Sequence, residues 1–209
     1  MVVDFYFFTK QKKMKKLFIS AVVILSSLIA TAQTTAFGLK AGLNVATVHV
    51  ENSSYNIDPR ISAQVGGLAH IHLSKEFALQ PELTFSGQGY KINGTGANAD
   101  QHYKLNYLNV PVLLQYMFNS GFRLETGPQL GALLSAKYKV GAVETDINSS
   151  YKTLDFGWDF GLGYLTTSGF GVDARYNLGI AKINDTESPA VMNRVFQAGI
   201  FYQFHHMRH

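Results

Sequence analysis

The sequence predicts an all-β fold in which eight antiparallel strands form one up-and-down barrel. Three observations predict it: apolar residues recur at every second position, the connections between these segments are short and long in turn, and the number of segments is even. The 209 residues include 19 Gly, 15 Phe, 11 Tyr and no Cys, and 46% of them are hydrophobic. This composition excludes intrinsic disorder, collagen, coiled coil and a disulfide framework.

The first 33 residues are predicted to lie outside the fold, because they end in an export signal. A basic pair, Lys15-Lys16, precedes an apolar run at 17–29 and an Ala-x-Ala cleavage site. The run is shorter than the roughly 20 residues that a membrane-spanning helix needs. We therefore interpret residues 14–33 as a signal peptide and residues 1–13 as an extension from a misassigned start. An uncleaved N-terminal anchor is the alternative.

The formal charge of +4 is concentrated in this first segment. Five lysines and one aspartate precede Gln33, which leaves 13 basic and 13 acidic residues in the rest of the chain. A neutral domain gives little support to binding of nucleic acid through a basic patch, so no nucleic-acid partner is expected.

Strand periodicity is clearest between residues 154 and 164, where one face is apolar and the other is acidic or glycine. The apolar face is Leu154, Phe156, Trp158, Phe160, Leu162 and Tyr164, and the other is Asp155, Gly157, Asp159, Gly161 and Gly163. Segments of this kind predict strands near 36–48, 61–73, 77–90, 103–117, 122–137, 153–166, 169–182 and 192–204. Tight turns are expected near 74–76, 119–121 and 167–168, and longer polar loops at 49–60, 91–102, 138–152 and 183–191.

The polar face indicates a barrel in a membrane rather than in water. That face is dominated by Gly, Gln, Asn and isolated charges, which suits a crowded lumen better than a solvated surface. Strands of about 13 residues at roughly 3.3 Å each, tilted by about 40°, exceed an apolar band of about 25 Å. We therefore predict a transmembrane β-barrel of the outer-membrane type over residues 34–204, with a tail at 205–209.

Aromatic residues are expected to ring the barrel at the short-turn end, where their apolar bodies and polar rims suit a membrane interface. The predicted ring is Phe37, Phe77, Tyr116, Phe122, Tyr164, Phe170, Tyr202 and Phe204. Phe204 also closes the last strand, so we predict that it serves as an assembly signal and that the barrel-assembly machinery is a partner during biogenesis.

Four stretches carry a resemblance to a known family. The run 107–116, Tyr-Leu-Asn-Val-Pro-Val-Leu-Leu-Gln-Tyr, resembles a signature of the PorT-like outer-membrane barrel domains of Gram-negative bacteria. Residues 37–44, 80–83 and 127–128 are similar to other strands of that family. The resemblance covers the mature chain and implies an eight-stranded outer-membrane barrel, but it implies no reaction.

Eight charged residues are predicted to face the lumen. They are Lys40, Glu82, Arg123, Glu125, Asp155, Asp159, Asp173 and Arg175. Buried charges persist when they are paired, and an eight-stranded barrel is just wide enough for side chains to fill. We interpret the set as an internal salt-bridge network in which Asp159 pairs with Arg175. A narrow ion path lined by the same groups is the alternative, and a wide porin is not expected.

The function predicted is structural or interaction-type, with outer-membrane lipid and an unidentified external partner of the long loops. The alternatives to this function are the narrow channel and an enzyme at the rim that acts on lipid or peptide, using residues in or near the long loops. Its candidates are His49, His102, Asp58, Asp100 and Asp146. No catalytic residue, cofactor or metal site is predicted, although the terminal His205, His206 and His209 could bind a metal adventitiously.

Overall fold

The computed structural model describes residues 35–51, 57–93, 100–185 and 189–204. The predicted N-terminal extension, signal peptide and C-terminal tail lie outside these residues. Within the described ranges, no helix is long and apolar enough to cross a membrane.

Eight long strands form a closed antiparallel barrel, as the sequence predicted. They are β1 Thr35–Val50, β2 Ile57–His72, β3 Phe77–Ile92, β4 Gln101–Met117, β5 Phe122–Val140, β7 Leu154–Leu165, β8 Phe170–Gly179 and β9 Val191–Gln203. Neighbours in the chain pair with each other, and the pairing of β1 with β9 closes the ring. A ninth short strand, β6 (Val143–Asp146), pairs with the end of β5, and a single 3-10 turn follows at Asn148–Ser150.

Alternating burial follows the alternation in the sequence. On β7, Asp155 and Asp159 are buried while Phe156, Trp158 and Phe160 are exposed. Successive side chains of a strand point to opposite faces, so one face of each strand lines the interior and the other forms the outer surface. The outer surface is therefore apolar and the interior polar, which is the reverse of a water-soluble barrel and typical of one in a membrane.

Two short turns depend on glycine. Gly121 and Gly169 each have a φ of 90°, and their amides donate to the carbonyl oxygens of Phe118 and Thr166 at 3.0 and 3.1 Å. A side chain is disfavoured at such φ values, so glycine makes these tight reversals possible. These turns and the one near Lys75 define the short-turn end of the barrel, and the opposite end is the long-loop end.

Strands β1 to β5 extend further toward the long-loop end than the sequence predicted, whereas β8 ends at Gly179 and the prediction of strand up to residue 182 is wrong. Residues 49–50, 57–60, 91–92, 101–102 and 138–140, which were predicted as loop, are strand, and so is all of β6. The backbone pairs there without an apolar outer face, as in the row Lys91, His102 and Lys139. Side-chain periodicity weakens beyond an apolar band while the hydrogen-bond ladder continues, and this is why the pattern did not indicate these residues.

At the long-loop end, the wall formed by β3 to β6 extends beyond the neighbouring strand β7. β5 pairs with β7 only as far as Ala132, and beyond that residue it pairs with β6 instead. A register shift between Asn106 and Tyr107 accompanies this change. We call residues 87–92, 101–106, 135–140 and 143–146 the protruding sheet.

Candidate functional site

A network of five charged side chains occupies the centre of the barrel. Lys40 lies 2.8 Å from Asp173 and 3.2 Å from Glu82, measured from its Nζ to a carboxylate oxygen. Arg175 donates to both oxygens of Glu82, lies 3.1 Å from Asp173, and donates through Nε to Glu125. All five residues are buried. Each charge therefore has a partner of opposite sign, which is the condition for burying it.

Glycine at position 161 makes room for this network. Register places Gly161 between Glu125 on β5 and Arg175 on β8. A Cβ at this position would lie 2.7 Å from Cγ of Arg175 and 2.8 Å from Oε1 of Glu125. The missing side chain lets Arg175 reach Glu125 across the intervening strand.

Amide side chains extend the network toward the short-turn end. Gln80 donates to Glu82 at 2.8 Å, and Gln115 donates to Glu125 at 2.8 Å. Arg123 donates to Gln115 at 3.4 Å, and its guanidinium lies 5.9 Å from the ring centroid of Phe201. The two glutamines were not among the predicted lumen residues, although their inward parity on β3 and β4 indicates them.

Three of the predicted lumen charges lie outside the ion-pair network: Arg123, which donates to Gln115, and the two aspartates of β7. Asp159 accepts a hydrogen bond from Asn177 at 2.8 Å, and Asp155 accepts one from Asn193 at 2.7 Å. The expectation that Asp159 pairs with Arg175 is wrong, because register places Asn177 rather than Arg175 opposite Asp159. Both aspartates are buried and are partnered by neutral amides.

An apolar cluster fills the interior at the long-loop end. Its buried members are Val48, Leu105, Tyr107, Ala136 and Ile183. Ile147 and Tyr151 pack against it from the connection between β6 and β7, and Val191 packs against it from the start of β9. The interior is thus filled at two levels, by the charge network and by this apolar cluster.

Backbone hydrogen bonds join the two connections that cover the apolar cluster. Lys152 donates to the carbonyl of Ile183 at 2.7 Å, and Asp185 donates to that of Ser150 at 3.1 Å. Tyr151 also pairs with Asn184 in the manner of a strand. The segments before β7 and after β8 therefore hold each other across the mouth of the barrel.

Tyrosines cover the inner face of the protruding sheet. The rings of Tyr90 and Tyr103 stack at 4.4 Å, Tyr103 and Tyr138 lie 5.0 Å apart, and the hydroxyls of Tyr90 and Tyr151 are 3.1 Å apart. Burial is the main cause that raises the pKa of Tyr103 and that of Tyr151 to about 12. Tyr103 and Tyr151 therefore stay neutral at physiological pH, and the tyrosine rings continue the apolar cluster outward.

The residues proposed for a rim enzyme are not brought together. His49 lies on β1 opposite Met192, Asp58 accepts from Asn93, and Asp146 accepts from the amide of Asn148. Only Asp100 and His102 share a site, a pocket of about 280 Å³ that is also lined by Lys104, Lys139 and Gly141. Among the described residues, no group of three or more His, Asp or Glu side chains is arranged to hold a metal ion.

The two histidines on β2 differ in exposure. His70 is buried, and its Nδ1 lies 3.3 Å from Oε1 of Gln80, whereas His72 is exposed. The two rings meet edge to face at 4.6 Å near the short-turn end.

Seven of the eight aromatic residues predicted for the short-turn end are exposed there, and Phe122 is half-buried. They meet in cross-strand rows, with Phe77 opposite Tyr116, Phe122 opposite Tyr164, and Phe170 opposite Tyr202. The amide of Phe204 donates to the carbonyl of Phe37 at 2.7 Å, which continues the pairing of β9 with β1. Phe118, in a turn, adds a further exposed ring that the periodicity did not indicate.

Comparison with known proteins gives a family and a shared fold. Residues 31–185 match the family described as outer membrane protein beta-barrel domain. The structure is similar to that of neisserial surface protein A, with 16% identity, a TM-score of 0.55, and coverage of 82% of this chain and 100% of that one. It is also similar to the attachment invasion locus protein Ail of Yersinia pestis, with 15% identity, a TM-score of 0.53 and the same coverage. At these identities the likeness shows the fold alone, and a comparison with curated proteins gave no match.

Proposed function

The chain belongs to the outer membrane β-barrel domain family and is a protein of the outer membrane, and from this premise we propose that it works as a membrane-anchored interaction protein. In this proposal the short turns face the periplasm, and the long loops and the protruding sheet face the outside of the cell. An external partner binds there. The finer resemblance to PorT-like barrels remains a prediction.

The observation that carries the proposal is the filled interior. At the centre Arg175 and Glu82 join β8 to β3, and at the long-loop end the apolar cluster fills the lumen. A conducting barrel needs a continuous hydrated path, which paired charges and packed apolar side chains do not provide. An anchoring and display role is therefore better supported than a channel.

The protruding sheet supplies the surface for contact. It is held by regular pairing from β3 to β6 and by the tyrosine stack on its inner face. A rigid surface loses less conformational entropy on binding than a flexible loop does. The sheet is thus suited to present side chains to a partner.

In the same orientation, the end of β9 and Phe204 lie at the short-turn end, on the periplasmic side. Phe204 is exposed on the outer face beyond the end of β9, and we propose that it is the residue that the barrel-assembly machinery reads. Outer-membrane lipid contacts the apolar outer faces of all eight strands.

The orientation is tested with single cysteines, because the natural sequence has none. Ala142→Cys lies in the exposed reversal between β5 and β6, and the matched control Lys75→Cys lies in an exposed turn at the opposite end. A membrane-impermeant maleimide should label the Ala142 variant on intact cells and the Lys75 variant only after the outer membrane is permeabilised. The reverse pattern would contradict the orientation.

The filled interior is tested separately in planar bilayers. The reconstituted mature chain should give negligible conductance. Regular single-channel steps that disappear when a lumen charge is neutralised, without loss of folded barrel, would favour the narrow channel instead.

A further inference from the structure

Charged side chains on the outer faces of the barrel strands are confined to the long-loop end. On β4 the outward residues from Tyr116 to Leu108 are uncharged, and the next charged one is Lys104. On β5 and β9 the first charged outward residues in the same direction are Lys137 and Arg194. The apolar outer surface is therefore bordered by cations on one side.

Five basic residues meet on the outer face of the protruding sheet. Register aligns Lys91, His102 and Lys139 across β3, β4 and β5, and it aligns Lys104 with Lys137 one row closer to the apolar surface. We call these five residues the lysine cluster. His102, Lys104 and Lys139 also line the pocket of about 280 Å³.

The lysine cluster already holds an anionic group. Oε2 of Glu144 lies 2.7 Å from Nζ of Lys104, and Oε1 lies 2.8 Å from Nζ of Lys137. The two oxygens of one carboxylate thus bridge the two ammonium groups. A phosphate presents a similar pair of oxygens and fits the same spacing. The side chains of Lys104, Lys137 and Glu144 are 32%, 46% and 34% exposed, so a ligand can reach them.

The other acidic residues nearby already accept hydrogen bonds. Asp146 accepts from the backbone and side chain of Asn148, and Asp58, opposite Lys91, accepts from Asn93. Lys139 and His102 line the pocket, and Asp100 is the acidic residue of that lining.

The height of the cluster matches a lipid headgroup. Lys104 lies four residues beyond Leu108, the last apolar outward residue of β4. At roughly 3.3 Å per residue and a tilt of about 40°, it stands about 10 Å beyond the apolar surface. This is the level at which phosphates of membrane lipids lie, and basic residues there attract anionic headgroups.

We propose that the lysine cluster binds the phosphate of an anionic glycolipid in the outer leaflet. The cluster is continuous with the lipid-facing surface. A lipid whose acyl chains lie against β4 and β5 therefore places its headgroup on the cluster without a conformational change of the protein. Glu144 takes the place of the phosphate when no lipid is bound. The assignment to the outer leaflet rests on the proposed function, which places the long loops outside the cell.

The experiment measures binding of diphosphorylated lipid A, and of the same lipid after dephosphorylation, to the refolded mature chain in detergent. The phosphorylated lipid should bind at least tenfold more tightly. Lys104→Gln combined with Lys137→Gln should weaken its binding by about tenfold, because two charge-assisted contacts are lost. Glu144→Gln should strengthen it severalfold, since the competing carboxylate charge is removed. Lys75→Gln, at the short-turn end, is the matched control and should leave binding unchanged.

Equal binding of the two lipids, or full binding by the double variant, would overturn the proposal. Displacement of the lipid by millimolar inorganic phosphate would assign the site to free phosphate and would overturn the lipid assignment. A heat-modifiable gel shift checks that each variant is folded. Binding in detergent does not depend on orientation, so failure here is distinguishable from failure of the maleimide test.

Discussion

Arg175 on β8 donates to both carboxylate oxygens of Glu82 on β3, at 2.8 and 2.7 Å. In the closed ring these two strands are four positions apart among eight, so they face each other across the lumen. The pair spans the full width of the barrel at its centre. Because Glu125 and Asp173 also contact the same guanidinium, Arg175 holds three carboxylates in one place.

Removing the guanidinium should destabilise the barrel strongly. In Arg175→Leu, Glu82 and Glu125 lose their arginine partner in a buried site, and breaking a buried pair in this way typically costs about 3 to 5 kcal/mol. The temperature at which the heat-modifiable gel shift disappears should therefore fall well below that of the parent.

The double variant Arg175→Leu with Glu82→Leu separates charge from packing. It removes one buried cation and one buried anion together, so it should recover the part of the loss that comes from Glu82, while Glu125 stays without its arginine partner. A double variant as unstable as Arg175→Leu alone would show that the ion pair is not the source of the effect.

The alternation of residues along a strand is sufficient to assign each side chain to the lumen or the outer face, but it does not identify the side chain's hydrogen-bond or ion-pair partners. All eight lumen charges could be assigned to the interior because the strand period is two, and the structure buries all of them. Partners depend on register, which a turn sets. Gly169 closes a turn on Thr166 and places Asp159 opposite Asn177, two residues away from the expected Arg175. The bridge from Arg175 to Glu82 depends on which strands face each other across the closed ring, and no local pattern contains that information.

Two buried aspartates should respond differently to the loss of charge. Asp173 contacts both Lys40 and Arg175, so Asp173→Asn should destabilise the barrel by roughly the 3 to 5 kcal/mol of a broken buried pair. Asp159 accepts from Asn177, and its other oxygen has no hydrogen-bond partner. Asp159→Asn should therefore be neutral or stabilising.

The two variants are compared in one thermal series on the same gel assay, with the parent as reference. Equal losses in both would indicate that Asp159 contributes to the ion-pair network after all.

Glycine at position 161 should be required for the central network. In Gly161→Ala the new methyl group would lie less than 3.0 Å from Arg175, Glu125 and the carbonyl of Ala174. Overpacking of this kind typically costs about 1 to 3 kcal/mol. Gly67→Ala is the matched control, because a Cβ there has only the carbonyl of Gly38 nearby, at 3.7 Å. The thermal midpoint should fall for the first variant and stay within error for the second, and a tolerated Gly161→Ala would contradict the packing argument.

The outermost rows of the protruding sheet were not predicted as strand, because their side chains carry no strong alternation. The predicted strands stop at residues 90, 103 and 137, and the outward residues just beyond them are Lys91, His102 and Lys139, which resemble a polar loop in composition. The pairing that makes them strand runs to Gln101, opposite Val140, and it is visible only in the structure.

Glu144 gives this sheet a pH dependence that can be followed at one carboxyl group. Hydrogen bonds from Lys104 and then from Lys137 lower the pKa of Glu144 from 4.5 to about 2, and the same contact raises the pKa of Lys137. A carboxyl whose pKa is lower in the folded state stabilises that state at pH values above 4.5, and this contribution is lost as the pH falls toward 2. The lysine bridges should therefore be intact at pH 5 and about half lost near pH 2.

Carbon-13 NMR of the side-chain carboxyls measures the pKa of Glu144 directly, in the refolded parent chain and in the variant that lacks Lys104 and Lys137. In Lys104→Gln with Lys137→Gln, both hydrogen-bond donors lose their charge, so the pKa of Glu144 should rise toward 4.5, while Lys75→Gln should leave it where it is. Added salt should act in the same direction as the double variant, because the side chains of all three residues are partly exposed and their interaction is screened. A pKa near 4.5 in the parent chain would mean that the bridges are not formed in solution, and Glu144 would then be free of the two ammonium groups at neutral pH.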